Sequence, residues 1–479
     1  MLLLGVVVFA KVRSRSVRQV VLLAGSYTLY VTWGVWFAAV LLTSTVINFL
    51  LGRWLRQKPS SFILWTGILL NLALLGSFKY LPETAGAMPF SSLERFAHLA
   101  LPLGISFWTF QAISYLFDLY RGEEIDPSFV EFALYMVFFP VAISGPICRM
   151  PEMLPQFRSE DPLRRSDIGR GLSRIATGVL MMQLAQLLGQ GILAGDGDGI
   201  NAGFDHLTRW SGADVWCLAF GYGLQLFFDF AGYSHIAIGA AKMLGFTLPE
   251  NFARPFQSKT PSIFWTRWHM SLSFWIRDYV FLPLAVLRRE MWWRNLALIV
   301  SMVLFGLWHK ASVLFLLWGC YNGVLLVLHR QVQQLQRRFD WTPPAGLWTP
   351  ISWITTMSLI SLGWIPFRAT SLPKAAQMLS AVVSPASYLS HFVGWSLYLM
   401  VVALALGYAA VLWVIDALDH YSVAPEAAEA NSRGEIIALV ARRRWLWIAP
   451  FYALTLVVVV LIVTLTHAGG KGAFMYRIF

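Results

Sequence analysis

Long apolar segments recur along the whole chain of 479 residues and constrain its fold more than any other feature. A transmembrane helix needs about 20 apolar residues to cross the hydrocarbon core of a bilayer. Charged residues make up only 13% of the sequence, whereas an average soluble domain contains about 25%. We therefore predict an all-α, polytopic membrane protein that forms a single integral-membrane domain over residues 1–479.

The positive charge is concentrated in clusters between the apolar segments. Lys and Arg number 37 against 25 Asp and Glu, which gives a formal net charge of +12. Because positively charged loops of membrane proteins stay in the cytoplasm, we assign the clusters to that side and expect no nucleic acid as a partner. The clusters are Lys11/Arg13/Arg15/Arg18, Arg53/Arg56/Lys58, Arg158/Arg164/Arg165/Arg170/Arg174, Arg288/Arg289/Arg294, Arg330/Arg337/Arg338 and Arg433/Arg442/Arg443/Arg444.

The apolar segments predict the membrane spans. Residues 20–51 are too long for one span and predict two short helices in a hairpin. Residues 129–148 contain Pro140, Gly145 and Pro146 and predict a broken, re-entrant helix. The remaining predicted spans are 61–78, 96–118, 175–194, 213–243, 295–308, 311–329, 349–366, 393–416 and 445–467. This order places the C-terminus outside the cytoplasm.

Residues 261–280 predict one continuous helix near the cytoplasmic face. Thr260 fits the N-cap of this helix, and Pro261 fits its first position. By the helical period, His269 lies on the apolar side. That side carries Trp265, His269, Leu272 and Ile276, and the opposite side carries Arg267, Ser271 and Asp278.

Ionisable residues within apolar spans are costly to bury and are candidates for function. His309 lies between two short spans, at a junction that points away from the cytoplasm. Asp229 lies in an aromatic span and is expected to need a Lys or Arg partner, either as a structural pair or in an ion pathway. Asp118 and Arg121 are expected to form a local pair. No His or acidic residues have the spacing of metal ligands, so no metal site is expected.

Several motifs in the middle of the chain occur together in one order. They are Leu101-Pro-Leu-Gly-Ile-Ser-Phe-Trp-Thr-Phe110, Asp118-Leu-Tyr-Arg-Gly122, Ser144-Gly-Pro146, Phe228-Asp-Phe-Ala-Gly-Tyr-Ser-His235, Pro249-Glu-Asn-Phe252, Phe264-Trp-Thr-Arg-Trp-His-Met-Ser-Leu-Ser273 and Gly306-Leu-Trp-His309. With them, residues 20–370 resemble the membrane-bound O-acyltransferase family, in particular its bacterial branch of alginate O-acetylation and teichoic acid D-alanyl transfer proteins. The resemblance implies about eleven transmembrane helices, plus re-entrant and amphipathic helices, around a central tunnel. The core motifs fall in 96–330, and the C-terminal spans in 349–467.

The resemblance also implies which residues act. His309 corresponds to the presumed catalytic histidine of the family, and His269 to a second functional histidine on the cytoplasmic side of the tunnel. Acyl transfer to a hydroxyl needs a base near neutrality, which histidine provides. Arg267 is expected to pair with Asp278. The further expected tunnel residues are Trp265, Trp268, Trp308, Arg267, Asn251 and Asp229, of which the last three would mainly be scaffold.

The implied function is O-acyl transfer in the bacterial inner membrane. The acyl group, most simply acetyl, would come from a cytoplasmic thioester, acetyl-CoA or an acyl carrier protein, with no resident cofactor. The acceptor would be a hydroxyl of an extracytoplasmic polysaccharide or of an SGNH-type partner protein. D-alanyl transfer from a carrier protein toward a cell-wall polymer is an alternative. A non-catalytic transporter or scaffold is another, because transporters also contain broken helices and intramembrane acids.

The sequence departs from the pattern of this branch at several positions. His235 stands where the branch has Asp, and residues 285–290 replace a glycine-rich loop. Lys310 follows the Trp-His pair and would bring a positive charge beside His309 if its side chain pointed inward. We expect the acyl-transfer reaction to survive these departures, and Lys310→Gly to retain activity.

Overall fold

In the computed structural model, all regular elements of the described residues are helical. The described residues are 2–12, 14–82, 101–191, 199–341 and 344–423. The helices are α1 (Leu2–Lys11), α2 (Arg15–Val31), α3 (Val35–Gln57), α4 (Ser61–Lys79), α5 (Ile105–Tyr120), α6 (Phe129–Val137), α7 (Met150–Arg158), α8 (Arg165–Gln190), α9 (Ile200–Asp205), α10 (Gly212–Met243), α11 (Pro261–Trp265), α12 (Met270–Ile276), α13 (Leu282–Ala285), α14 (Met291–His309), α15 (Val313–Arg338), α16 (Ala345–Arg368), α17 (Leu372–Val383) and α18 (Trp395–Val423). Short single-turn elements occupy Pro255–Gln257, Arg277–Phe281 and Pro385–Leu389.

Six described helices are long and apolar enough to cross a membrane. They are α3, α4, α10, α14, α15 and the part Trp395–Ala417 of α18. The predicted all-α polytopic architecture is therefore confirmed for the described part of the chain, whereas the expected count of about eleven spans stays a prediction. The predicted span 445–467, and with it the side of the C-terminus, lies outside the described residues.

The predicted interruptions of the apolar segments occur in the structure. The segment 20–51 divides into α2 and α3, which are joined at residues 32–34. In the segment 129–148, helix α6 ends at Val137, and no helix follows until α7 begins at Met150. The break is thus confirmed, while a re-entrant path through the membrane remains a prediction.

The contacts of the chain define two compact units. The first unit consists of Met1–Ile175 and Tyr233–Met357, and the second of Ala176–Gly232 and Ser358–Phe479. Both candidate histidines, His269 and His309, belong to the first unit.

The prediction of one continuous helix over 261–280 is wrong. Thr260 does cap a helix, because its hydroxyl accepts a hydrogen bond from Ile263 N at 3.2 Å. That helix, α11, ends at Trp265, and the next helix, α12, begins at Met270. The amide of Met270 donates to the carbonyl of Asn251 at 2.8 Å, so a contact with a distant segment replaces the bond that a continuous helix would make.

Helices α14 and α15 form a tight hairpin because glycines lie between them. A Cβ atom added at Gly306 would collide with the carbonyl oxygen of Phe315, and one added at Gly319 would collide with that of Met302. Small residues allow the backbones of two helices to approach this closely. The hairpin places His309, the last residue of α14, beside the first turns of α15.

Candidate active site around two buried histidines

Four aromatic side chains surround His309, which is 7% exposed. Phe305 stacks on its imidazole with ring centres 5.3 Å apart and an angle of 22° between the planes. The centres of Trp308, Trp318 and Phe315 lie at 4.7, 5.8 and 6.0 Å. These four rings, here called the aromatic box, fix the plane of the imidazole and exclude bulk water from it.

His269 is also buried, at 2% exposure, and hydrogen-bonded polar side chains lie near it in the fold. Its backbone adopts a left-handed conformation with φ of 43°, which costs a non-glycine residue about 1–2 kcal/mol. Beside it, the Ser271 hydroxyl donates to Asn251 Oδ1 at 2.6 Å, and Asn251 Nδ2 donates to Ser234 Oγ at 3.0 Å. Asn251 is fully buried. Hydrogen bonds between side chains therefore lie directly beside the turn at His269.

Trp265 lies four residues before His269 in the sequence and packs in the cluster around His309. Its ring centre lies 5.5 Å from that of Phe305 and 5.8 Å from that of Trp318, both of which belong to the aromatic box. The two histidines lie close enough to each other to interact electrostatically. The structure thus brings His309, His269, Trp265 and Trp308 together in one buried cluster.

Trp268 and Arg267, in the same motif as His269, contact the residues that follow Asn251. Trp268 stacks on Phe264, with ring centres 5.3 Å apart, and lies edge-on to Phe252 at 5.2 Å. The carbonyl of Arg267 accepts a hydrogen bond from Ala253 N at 3.0 Å. Both residues therefore join the motif to the loop that contains Asn251.

The expected pair between Arg267 and Asp278 is wrong. Asp278 instead binds Arg149 at 2.7 Å and Arg277 at 2.6 Å. The helical register that would have placed residues 267 and 278 on one side is interrupted at His269.

The expected pair between Asp118 and Arg121 is wrong as well. The Tyr279 hydroxyl donates to both carboxylate oxygens of Asp118, at 2.7 and 2.9 Å. Arg121 donates to the carbonyl of Asp278 at 2.8 Å. Both residues thus bind the segment that follows α12 rather than each other.

Asp229 belongs to the second unit and is 6% exposed. The structure shows no hydrogen-bond partner for its Oδ2 atom among the described residues. The Lys or Arg partner that the sequence led us to expect is not found in that part of the chain, so the role of Asp229 stays open.

Lys79 is a residue of the site that the sequence reasoning missed. It ends helix α4, is 9% exposed, and donates through Nζ to the carbonyl of Trp308. Its ammonium lies 4.7 Å from the centre of the Trp308 ring, and the Tyr80 hydroxyl donates to the same carbonyl at 3.3 Å. A lysine within an apolar span was the available signal. Lys310, by contrast, is exposed.

A cavity of about 320 Å³ in the first unit reaches this cluster. Trp265 and Phe305 form part of its wall, and these rings also pack in the cluster around His309. Arg277, Arg330 and Gln333 belong to its polar lining, together with several serine and threonine side chains. The cavity can therefore hold an elongated group with an apolar stem and an anionic end. Among the described residues, no three His, Cys, Asp or Glu side chains are placed to hold a metal ion.

Comparison with known proteins identifies the family of this chain. Residues 22–365, which include both histidine motifs, match the membrane-bound O-acyltransferase (MBOAT) family. The chain belongs to this family. As an MBOAT protein with several apolar helices, it is a multi-pass membrane O-acyltransferase.

Relatives of this MBOAT chain act on different polymers, according to their names. The probable alginate O-acetylase AlgI of Pseudomonas putida is 34% identical over 384 residues, covering 77% of this chain and 75% of the relative. The peptidoglycan O-acetyltransferase of Helicobacter pylori is 32% identical, covering 76% and 73%. The teichoic acid D-alanyltransferase of Bacillus subtilis is 28% identical, covering 65% and 79%.

Proposed function

We propose that this protein transfers an acetyl group from a thioester in the cytoplasm to a hydroxyl outside the bacterial inner membrane. The acceptor is an extracytoplasmic polysaccharide, or an SGNH-type partner protein that passes the group to one. The names of the alginate and peptidoglycan relatives support this acceptor class. The observation that carries the proposal is that His309 and His269 are both buried and lie close to each other, with Trp265 packed against the rings around His309.

In the proposed reaction, His309 accepts the proton of the acceptor hydroxyl, and the oxygen attacks the thioester carbonyl carbon. The carbon–sulfur bond breaks as the new carbon–oxygen bond forms. His269 orients the thioester, and the proton held by His309 passes to the departing thiolate, so that both imidazoles end neutral. One proton leaves the hydroxyl and one joins the sulfur, so an ester and a free thiol are formed without net gain or loss of protons.

The cavity beside Trp265 is the proposed entry route of the donor. Acetyl-CoA and acylated carrier proteins both present their thioester at the end of a phosphopantetheine arm. Arg277 and Arg330 could bind the phosphate, because guanidinium groups match phosphate geometry, while the apolar wall would accommodate the arm. The basic clusters that flank this part of the chain are those predicted to be cytoplasmic.

The proposal includes a central tunnel that continues from this cavity to the outer face. Trp308 and Trp268 would line it together with Trp265. Arg267 and Asn251 would support its walls without touching the reacting atoms. About eleven spans and an extracytoplasmic C-terminus belong to the same proposal.

The test uses the purified protein in proteoliposomes, with labelled acyl donor on one side and an oligosaccharide acceptor on the other. His309→Ala should lower ester formation by about 10³-fold, as expected for a general base, and His269→Ala by about 10–100-fold, as expected for loss of the orientation of the thioester. His391→Ala, which changes an exposed histidine of the second unit, is the matched control and should be unaffected.

Three donors separate the alternatives: acetyl-CoA, an acetylated carrier protein and a D-alanylated carrier protein. Ester formation from the last alone would favour D-alanyl transfer, which the similarity to teichoic acid D-alanyltransferases makes the second candidate. Wild-type ester formation by both histidine variants would refute the proposed site. Uptake of label without any ester would indicate transport.

A further inference from the structure

A chain of buried hydrogen bonds runs beside His269 and connects four separate motifs. Ser234, in α10, accepts from Asn251 Nδ2 at 3.0 Å. Asn251 Oδ1 accepts from the Ser271 hydroxyl at 2.6 Å, and Ser271 Oγ accepts from Ile147 N at 3.0 Å. The three side chains are 2%, 0% and 6% exposed, in the order Ser234, Asn251, Ser271.

The same chain holds the backbone on both sides of His269. After the histidine, Met270 N donates to the Asn251 carbonyl at 2.8 Å. Before it, the Arg267 carbonyl accepts from Ala253 N at 3.0 Å. A residue other than glycine persists in a left-handed conformation only when its surroundings determine it. These two bonds constrain the backbone at His269, because they attach residues 267 and 270, on either side of it, to one short loop.

A second clamp holds the same loop from the neighbouring position. Arg174 binds both carboxylate oxygens of Glu250, at 2.6 and 2.7 Å, and donates through Nε to His235 Nδ1 at 3.3 Å. Ser234 and His235, adjacent in α10, thus hold Asn251 and Glu250, adjacent in the loop. His235 accepts this bond through an unprotonated ring nitrogen, so the positive charge of Arg174 is paired with the carboxylate of Glu250. The departure at this position therefore has a structural role.

We propose that Asn251 and Ser271 are positioning residues that hold His269 in the orientation required by the thioester, with Ser234 fixing the amide of Asn251. The inference rests on the proposed function of His269. It assigns a task to three polar residues that touch neither donor nor acceptor. Acyl transfer depends on the orientation of the acting group, and a displacement of about 1 Å can cost about 100-fold in rate.

The test is a double-mutant cycle on acetyl transfer in proteoliposomes. Ser271→Ala should lower kcat about tenfold and leave the KM for the donor unchanged, because orientation is lost but the binding cavity is intact. Ser234→Ala should lower kcat about threefold, since it removes a bond one residue further away. In the His269→Ala background, neither change should reduce the rate further. Ser271→Thr keeps the hydroxyl and should recover most of the activity.

Ser114→Ala is the matched control. Ser114 is fully buried in α5, and its hydroxyl donates to the Gln111 carbonyl at 2.9 Å. Its melting temperature should fall as much as that of Ser271→Ala while its kcat stays at the wild-type value. A loss of kcat in the control equal to that of Ser271→Ala would overturn the positioning role.

Other outcomes also decide the question. Equal losses from Ser271→Ala in the wild-type and His269→Ala backgrounds would mean that Ser271 acts independently of His269, and would overturn the inference alone. Wild-type activity of His269→Ala would overturn both the inference and the proposed role of that histidine. If Ser271→Ala does not fold, the cycle with Ser234→Ala gives the same decision, with additivity counting against the proposal.

Discussion

The two histidines of the site are held by opposite kinds of interaction. His309 ends a regular helix and lies among four aromatic rings, all of which come from residues within nine positions of it in the sequence. His269 lies between two short helices, in a left-handed conformation, beside side chains from α10 and from the loop around Asn251.

This difference follows from the task proposed for each residue. A ring held by stacking has one plane but can still slide within that plane, which suits a base that meets a bulky acceptor. A ring held through its own backbone by hydrogen bonds has a fixed point of attachment, which suits orientation of a donor. The first arrangement should therefore be sensitive to packing, and the second to the loss of single polar groups.

The largest expected effect comes from breaking the packing of His309 alone. Gly306→Val would place a side chain against the Phe315 carbonyl and force α14 and α15 apart. Overpacking of this kind costs about 3 kcal/mol. We expect a lower thermal unfolding midpoint in detergent and loss of acetyl transfer.

Gly76→Ala in α4 is the control for this change, because an added Cβ atom there has no neighbour within 4 Å among the described residues. It should be neutral or raise stability by about 1 kcal/mol through better helix propensity. If Gly306→Val unfolded at the temperature of Gly76→Ala and remained active, the close packing of the hairpin would not be what places His309.

The next effect in size concerns the buried lysine at the His309 end, Lys79. Lys79→Met removes the ammonium that binds the Trp308 carbonyl and leaves a helix-terminal carbonyl without that donor. We expect kcat to fall about tenfold, consistent with loss of one charged hydrogen bond, and Lys79→Arg to recover part of it. The kcat of acetyl transfer is the measurement.

Lys310→Gly is the matched control, since Lys310 is exposed and lies one residue after His309. Its kcat should equal that of the wild type. If instead Lys310→Gly were inactive and Lys79→Met active, the lysine that matters would be the one adjacent in sequence, contrary to the structure.

Much of the fold could be predicted because it depends on local sequence. Apolar length and basic flanks predicted the paired helices α2 and α3 and the long helix α10, and the Thr260-Pro261 pair predicted the start of α11. The break after Val137 follows from Pro140, which cannot continue a helix. The sequence also placed His309 correctly at the junction of two helices. This too depends on local sequence, because the residues that surround His309 lie in the same hairpin.

The predictions that failed depended on residues far apart in sequence. The helix breaks at His269 because the carbonyl of Asn251, eighteen positions earlier, accepts a hydrogen bond from the amide of Met270. The helical period of the sequence gives no sign of this contact. Asp278 binds Arg149 rather than Arg267 for the same reason. Lys79 approaches Trp308 from a helix more than two hundred positions away. Polar contacts between residues so far apart in the sequence cannot be predicted from the local pattern of apolar and polar residues.

The smallest expected effect separates the backbone of His269 from its side chain. His269→Ala and His269→Gly both remove the imidazole, so both should lose the same 10–100-fold of activity. They should differ in stability, because only glycine adopts a φ of 43° without strain. His269→Gly should therefore be more stable by about 1 kcal/mol, as measured by thermal unfolding in detergent.

A less stable glycine variant would mean that the left-handed turn is not the constraint here. The bonds around Asn251 would then act on the imidazole of His269 rather than on its backbone. The two histidines would in that case differ only in what their side chains contact.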